Sequence, residues 1–300
     1  MIITAVYVSL IVTGFPLNIV TILPFVKRCF PLKTSDLPVL SITIANCILI
    51  AFAMPIAAVQ NASGTWVLGF NGCIWYAFFN TVVGLGSMLH HVVLAVERCF
   101  NTHNPMANDV SQKKICSIIG IVWGFAVLWG VFPLIGWSSY APEGTGNTYT
   151  CSIKWRVDDS AEASYIVCLV VVFFLLPIVV IITSYTIMYQ DLQKMTARSK
   201  QLCGRGARET IGVLMAKKRV VLTAFILMLV FCICWTPYTV VSLYSAFSEA
   251  DSMTPLVSTI SSISAKSSVL LNPVVYFLRY KKFRKAIKKL FGLNRNRFPL

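Results

Sequence analysis

Carboxylates are scarce in this chain. It holds eleven Asp and Glu in 300 residues. Asp36, Glu97, Asp109, Glu143, Asp158, Asp159, Glu162, Asp191, Glu209, Glu249 and Asp251 all fall at the ends of apolar runs or between them. That excludes a proton pump or ion-coupled carrier, which strings acids through the bilayer as relays. Charge of either sign is thin, at 12% of residues, against roughly 25% in soluble domains. His90, His91 and His103 offer no zinc-ligand spacing, so no metal is expected. Internal repeats and low-complexity stretches are also missing, and the chain 1–300 reads as one domain.

What is abundant is apolar surface, 57% of residues, more than one soluble core can hold. Runs long enough to cross a roughly 30 Å hydrocarbon layer recur seven times, at approximately 2–26, 37–60, 72–99, 115–137, 163–188, 219–244 and 255–278. The expected fold is all-α, a bundle of seven transmembrane helices. A soluble enzyme, a nucleic-acid binder and a disordered regulator are excluded. The first run lacks the charged start of a signal peptide and continues to Lys27 and Arg28, so it reads as a retained helix.

The net charge of +15 is a topology signal and needs no nucleic acid. Lysines and arginines cluster after span one, around spans three and four, between Asp191 and Lys218, and after span seven. The opposite loops hold only Lys154 and Arg156. Basic loops face the cytoplasm, so the reading is a multi-pass plasma-membrane protein with its N-terminus outside. Among ten cysteines, only Cys73 and Cys151 fall at the outer end, where the medium is oxidising. A bridge between them would pin the loop after span four to the top of span three. Asn61-Ala62-Ser63 is a glycosylation sequon in the first outer loop. Past span seven, Phe283, Ile287, Leu290 and Phe291 recur at helical spacing among lysines and arginines, an amphipathic helix over 280–291 lying on membrane lipid.

One basic residue, Lys266, stands inside a span, about 12 residues or roughly 18 Å of helix from either end. Too deep to snorkel, it must be paired, neutral or in use. With no acid in mid-span, the functional reading is a desolvated amine that condenses with an aldehyde to form a Schiff base.

Pro133-Leu134-Ile135-Gly136-Trp137-Ser138, followed by Tyr140 and Pro142-Glu143-Gly144, resembles the end of helix four and the next loop in animal opsins. Pro273 follows Lys266 by seven residues within Asn272-Pro273-Val274-Val275-Tyr276, the spacing of the retinal-bearing lysine in that family. The wider likeness is to rhodopsin-like G protein-coupled receptors, through Asn18, Trp123, Pro177, Tyr185, Cys234-Trp235-Thr236-Pro237 and Glu97-Arg98-Cys99. It implies a light-activated receptor, not an enzyme, binding a cis-retinal at Lys266. Tyr76, Thr81, Gly84, Phe174, Trp235 and Tyr238 would form the pocket, and Glu143 would be the counterion. Glu97, Arg98, Tyr185, Asn272, Pro273 and Tyr276 would serve activation and coupling to a heterotrimeric G protein.

Asn46, Cys99 and Lys217 stand where the receptor class or its vertebrate visual pigments carry other residues, and Tyr76 stands at the visual-pigment counterion position. Together they point to an invertebrate or non-visual opsin. Arrestin is a possible partner of the family, but the 18 residues from Phe283 contain no Ser or Thr to phosphorylate. Two alternatives stand beside the receptor: a retinal photoisomerase, and a receptor for a diffusible ligand in which Lys266 is incidental.

Overall fold

The structure, a computed structural model, describes residues 2–64, 66–104, 110–143, 150–201, 205–248, 255–279 and 281–292. The side chains of Glu143, Glu209, Lys217, Asn272 and Tyr276, and all of Asp109, Glu249 and Asp251, lie outside that description. With no water in a bilayer core, an apolar run must satisfy its own N–H and C=O groups by coiling. The chain does so as α1 (Ile2–Val26), α2 (Asp36–Ser63), α3 (Gly69–His103) and α4 (Gln112–Val131), then α5 (Ser160–Gln201), α6 (Arg205–Phe247), α7 (Pro255–Arg279) and a short α8 (Lys281–Leu290). Between α4 and α5 lies an antiparallel hairpin of β1 (Tyr140–Glu143) and β2 (Thr150–Ile153).

Two sequence expectations are corrected, on the Asp191–Lys218 stretch and on the sequon. Among the described residues six helices are long and apolar enough to span a membrane by composition alone. The 25-residue α7 is the seventh long helix, interrupted by Lys266 and six serines, and it buries Ser261, Ser262 and Ser268 against its neighbours. The stretch Asp191–Lys218, read as a connecting segment, is mostly helix, since α5 continues to Gln201 and α6 begins at Arg205. Its Gln, Lys, Met, Ala and Arg residues are good helix formers and no proline breaks them. The sequon at Asn61 lies in the last turn of α2 rather than in a loop, and its Nδ2 donates to the Ala57 carbonyl at 2.7 Å.

Prolines shape the bundle. Each removes the N–H that would bond the carbonyl four residues earlier, and a carbonyl freed in lipid must find another donor. Pro133 frees the Trp129 carbonyl, which takes the Tyr165 hydroxyl of α5 at 3.0 Å. Pro273 frees the Val269 carbonyl, which takes Nδ2 of Asn18 in α1 at 3.0 Å. Near Pro237, the Cys234 carbonyl takes the Ser264 hydroxyl of α7 at 3.1 Å. Pro55 and Pro177 instead follow wide π turns, Leu49–Ala53 and Val171–Leu175, which absorb the lost bond within the helix.

A polar knot ties α2, α3 and α4. The His90 Nδ1 lies 2.6 Å from the Gly86 carbonyl, which can only accept, so in the neutral ring Nδ1 carries the proton. Nε2 then accepts from the Ser41 hydroxyl at 3.0 Å, and Ser41 accepts the Trp123 indole N–H at 3.0 Å. A Cβ at Gly86 would collide with the Trp123 ring.

The hairpin closes one end of the bundle. Cys151 is bridged to Cys73 at the start of α3, with Cα atoms 5.3 Å apart, and Tyr140 donates its hydroxyl to the Gly130 carbonyl at 2.8 Å. Beyond β2, Lys154 reaches Asp158 at 2.5 Å and Glu162 at 2.9 Å. The Lys154 ammonium holds the Asp158 carboxyl below the usual carboxylate range, and the hydrogen bonds Lys154 donates to Asp158 and Glu162 push Lys154 up. At the other end, Phe283 of α8 packs its ring against Phe25 and Phe30 at 5.2 and 5.4 Å.

Two outcomes are expected. Because Ser41 and His90 hold the Trp123 ring, Gly86→Ala should cost about 1–3 kcal/mol, read as an unfolding shift in detergent; unchanged stability would mean that the ring yields. A carboxyl held low contributes stability above its unfolded pKa and loses it as pH falls through its folded one. Asp158→Asn should therefore lower the thermal midpoint slightly at neutral pH, with the gap closing below the usual carboxylate range; a gap independent of pH would discount the ion pair.

Candidate functional site

Beneath the hairpin lies a cavity walled by α2, α3, α5, α6 and α7 and lidded by Cys151, Ser152, Ile153 and Trp155. All seven described residues expected to form the pocket line it: Tyr76, Thr81, Gly84, Phe174, Trp235, Tyr238 and Lys266. Trp235 and Tyr238, three residues apart on one face of α6, stand edge to face with ring centres 6.2 Å apart. Trp235 also stacks on Phe231 at 5.4 Å, and Phe231 meets the His91 ring of α3 at 4.7 Å. The lid is bonded to this wall, since the Trp155 indole N–H donates to the Tyr238 hydroxyl at 3.2 Å.

Gly84 sets the width of the slot. A Cβ there would stand 2.6 Å from the Trp235 ring, so only glycine lets that indole lie against α3. Two donors on the cavity wall, Nε1 of Trp235 and Nδ2 of the buried Asn46, have no protein acceptor among the described residues.

Lys266 projects from α7, and its Nζ lies 3.2 Å from the Tyr7 hydroxyl, 3.2 Å from the Tyr76 hydroxyl and 3.3 Å from the Ser262 hydroxyl. Both phenol rings face it, with centres 5.3 and 5.7 Å from Nζ. Among the described residues lining the cavity there is no carboxylate. Glu143 pairs in register with Thr150 on the hairpin; its side chain lies outside the described residues.

Tyr7 and Ser262 escaped the sequence reading. Tyr7 shares one buried stripe of α1 with Leu10, Gly14, Asn18 and Thr21, so its spacing from Asn18 was the available signal. Ser262 lies one turn before Lys266.

Of the residues expected to serve activation, Glu97, Arg98 and Tyr185 are described toward the far end, on α3 and α5. Glu97 and Arg98 are buried near the end of α3, and Glu97 accepts from Thr34 at 2.8 Å and Asn101 at 2.7 Å. Tyr185 is buried on α5 with its ring edge to face with Phe225 of α6 at 5.5 Å. Pro273 is buried in α7, while the side chains of Asn272 and Tyr276 fall outside the described residues. The structure thus separates an amine-bearing cavity under the hairpin from an arginine at the opposite end of the same helix.

Comparison with known proteins matches this architecture. The profile of the 7 transmembrane receptor (rhodopsin family) covers residues 17–276. Melanopsin-A of Danio rerio is 28% identical over 291 residues, 95% of this chain and 49% of its own length. The visual pigment-like receptor peropsin of Mus musculus is 28% identical over 93% of this chain and 81% of its own. A rhodopsin of Galeus melastomus is 29% identical over 96% of this chain and 80% of its own. The chain spans about half the length of the melanopsins it matches. The crystal structure of squid rhodopsin superposes with a TM-score of 0.86 at 24% identity, over 97% of this chain and 86% of that one. With the family profile covering most of the chain and the helices in matching order, the protein belongs to the rhodopsin family of seven-transmembrane receptors.

Proposed function

We propose that this receptor is light-activated, holds retinal covalently on Lys266, and engages a heterotrimeric G protein at its Arg98 end, which faces the cytoplasm. The observation that carries the reading is a lysine amine inside an apolar, aromatic-walled cavity, met only by hydroxyls among the described residues. The cavity suits a polyene aldehyde: an amine on α7, a slot held open at Gly84, and the rings of Trp235 and Tyr238 as a wall. Retinal, condensed through its aldehyde with the Lys266 amine with loss of one water, would supply the light absorption and the cis-to-trans change of shape.

The chain's own residues do the rest. Tyr76, Tyr7 and Ser262 hold the amine, and the Trp155 lid bonded to Tyr238 keeps bulk water out. A positive charge at Lys266 needs a compensating anion in such surroundings, and Glu143 on the hairpin is the proposed one. Trp235, in contact with the cavity and stacked on Phe231 beside Pro237, is placed to convert a change of ligand shape into a change at α6. A ligand shifts such a bundle only through contacts that differ between its two states.

The test is spectral. Purified protein supplied with cis-retinal in the dark should develop an absorbance band well to the red of free retinal, and Lys266→Ala should not. Absence of the band in the wild-type protein would favour the receptor for a diffusible ligand. Light should then raise nucleotide exchange on a G protein, with Arg98→Ala reducing it severalfold while leaving the dark band in place. A band without light-driven exchange would favour the photoisomerase reading. For the counterion, Glu143→Gln should bleach the band at a lower pH than in the wild type; if replacing chloride shifts the spectrum and Glu143→Gln does not, an inorganic anion holds that place instead.

A further inference from the structure

Among the described residues the cavity wall draws on α2, α3, α5, α6, α7 and the hairpin, and on nothing from α1. Yet Tyr7 of α1, fully buried at 0% exposure, brings its hydroxyl to 3.2 Å from the Lys266 amine and its ring face to 5.3 Å. It reaches Lys266 from outside the cavity lining. An ammonium has three N–H donors and no acceptor, and three oxygens surround this one: Tyr7, Tyr76 and Ser262. Its hydrogen bonds are fully assigned without any ligand.

The position of Tyr7 is itself fixed. Three turns below, Asn18 bonds the carbonyl that Pro273 frees on α7. Between the two, Gly14 lets α1 approach so closely that a Cβ there would stand 2.9 Å from the Leu270 side chain. Tyr7, Gly14 and Asn18 lie on one stripe of α1 facing α7, so the contact with Lys266 is the upper end of a continuous helix-to-helix seam.

We propose that Tyr7 is a positioning residue for Lys266, acting with Tyr76 as a pair of phenols that grip the amine from two helices and control its availability as a nucleophile. The proposal rests on the reading of Lys266 as the retinal attachment point and adds to it the helix that sets the amine's reactivity. Each phenol oxygen accepts a hydrogen bond that only a protonated amine can fully supply, and each ring face attracts the cation. Removing one oxygen leaves the amine freer to shed its proton and expose its lone pair. Retinal condensation leaves the nitrogen at most one N–H, so the same oxygens then compete for a single donor and the absorbance reports which of them holds it.

The test uses the full chain without retinal. Formaldehyde with cyanoborohydride methylates accessible neutral amines, and the rate at Lys266 is read by peptide mass. Tyr7→Phe keeps the ring and loses the oxygen, and it should speed methylation of Lys266 at neutral pH by roughly tenfold, in line with the loss of one hydrogen bond from a charged donor. Tyr7→Leu, which also loses the ring, should speed it further. Surface lysines such as Lys285 serve as internal controls, and their rates should not move. If Tyr7→Phe proves unstable, a ring-fluorinated tyrosine at position 7, a weaker acceptor of the same shape, should give a smaller acceleration of the same sign. A purely structural Tyr7 would lower the thermal midpoint and leave the Lys266 rate relative to the controls unchanged; that result overturns the proposal. The retinal-loaded protein gives the second readout: its band should shift in Tyr7→Phe. Should the wild-type protein form no band at all, the attachment reading fails, whereas a wild-type band with a Tyr7-independent methylation rate sinks the Tyr7 proposal alone.

Discussion

A carbonyl freed by proline inside an apolar slab has no water to turn to, and this bundle is stitched where such carbonyls find side chains of other helices. The Trp129 carbonyl takes Tyr165 and the Val269 carbonyl takes Asn18, while beside Pro237 the Cys234 carbonyl, next to the one that proline frees, takes Ser264. Each bond joins two spans at a depth where an unmade hydrogen bond is costly. The seam between α1 and α7 sets where Lys266 stands relative to Tyr7. The bond between α6 and α7 sets Trp235 near the same cavity. The site is thus placed by backbone bookkeeping far more than by its own attractions.

The two ends of the molecule carry different chemistry on shared helices. Cys73 and Arg98 lie on α3, about 37 Å apart along its axis. The disulfide, the hairpin and the lid belong to one end, and the buried Glu97 and Arg98 to the other. Between them the rings of Trp235, Phe231 and His91 are in successive contact, at 5.4 and 4.7 Å. Such packed rings shift together when the uppermost one is displaced, because dense interiors have little room to absorb a local change.

Much of this was legible in the residues. Helix length and hydropathy located the apolar part of each long helix, although α5 continues to Gln201 and α6 starts at Arg205, well beyond the expected bounds of 188 and 219, and the described residues matched to an opsin-like pocket line one cavity. Cysteine placement alone paired Cys73 with Cys151. The failures have physical causes. Tyr7 belongs to no motif, and only the pairing of α1 with α7 brings it to Lys266. The stretch after Asp191 looked like a loop because polarity was read as irregularity, although a helix leaving the membrane keeps its backbone bonds and changes only its side chains. Asn61 looked like a loop residue because the sequon is a local pattern, blind to the helical turn that holds it. Serine-rich α7 spans with low hydropathy because its polar face is covered by neighbours rather than by lipid.

The length of α6 has a mechanical consequence. Arg205–Phe247 is one continuous helix of 43 residues with its only internal proline at Pro237, close to the cavity end. That makes it a lever hinged at Pro237, with a long arm toward Lys218 on which Trp235 stands two residues from the hinge. From Pro237 to Lys218 the long arm is about 28 Å, so a tilt of about 10° at the proline carries its tip through about 5 Å. A ring displacement of well under an ångström beside the hinge is thereby magnified at the basic end, where a gap the width of a side chain would open or shut.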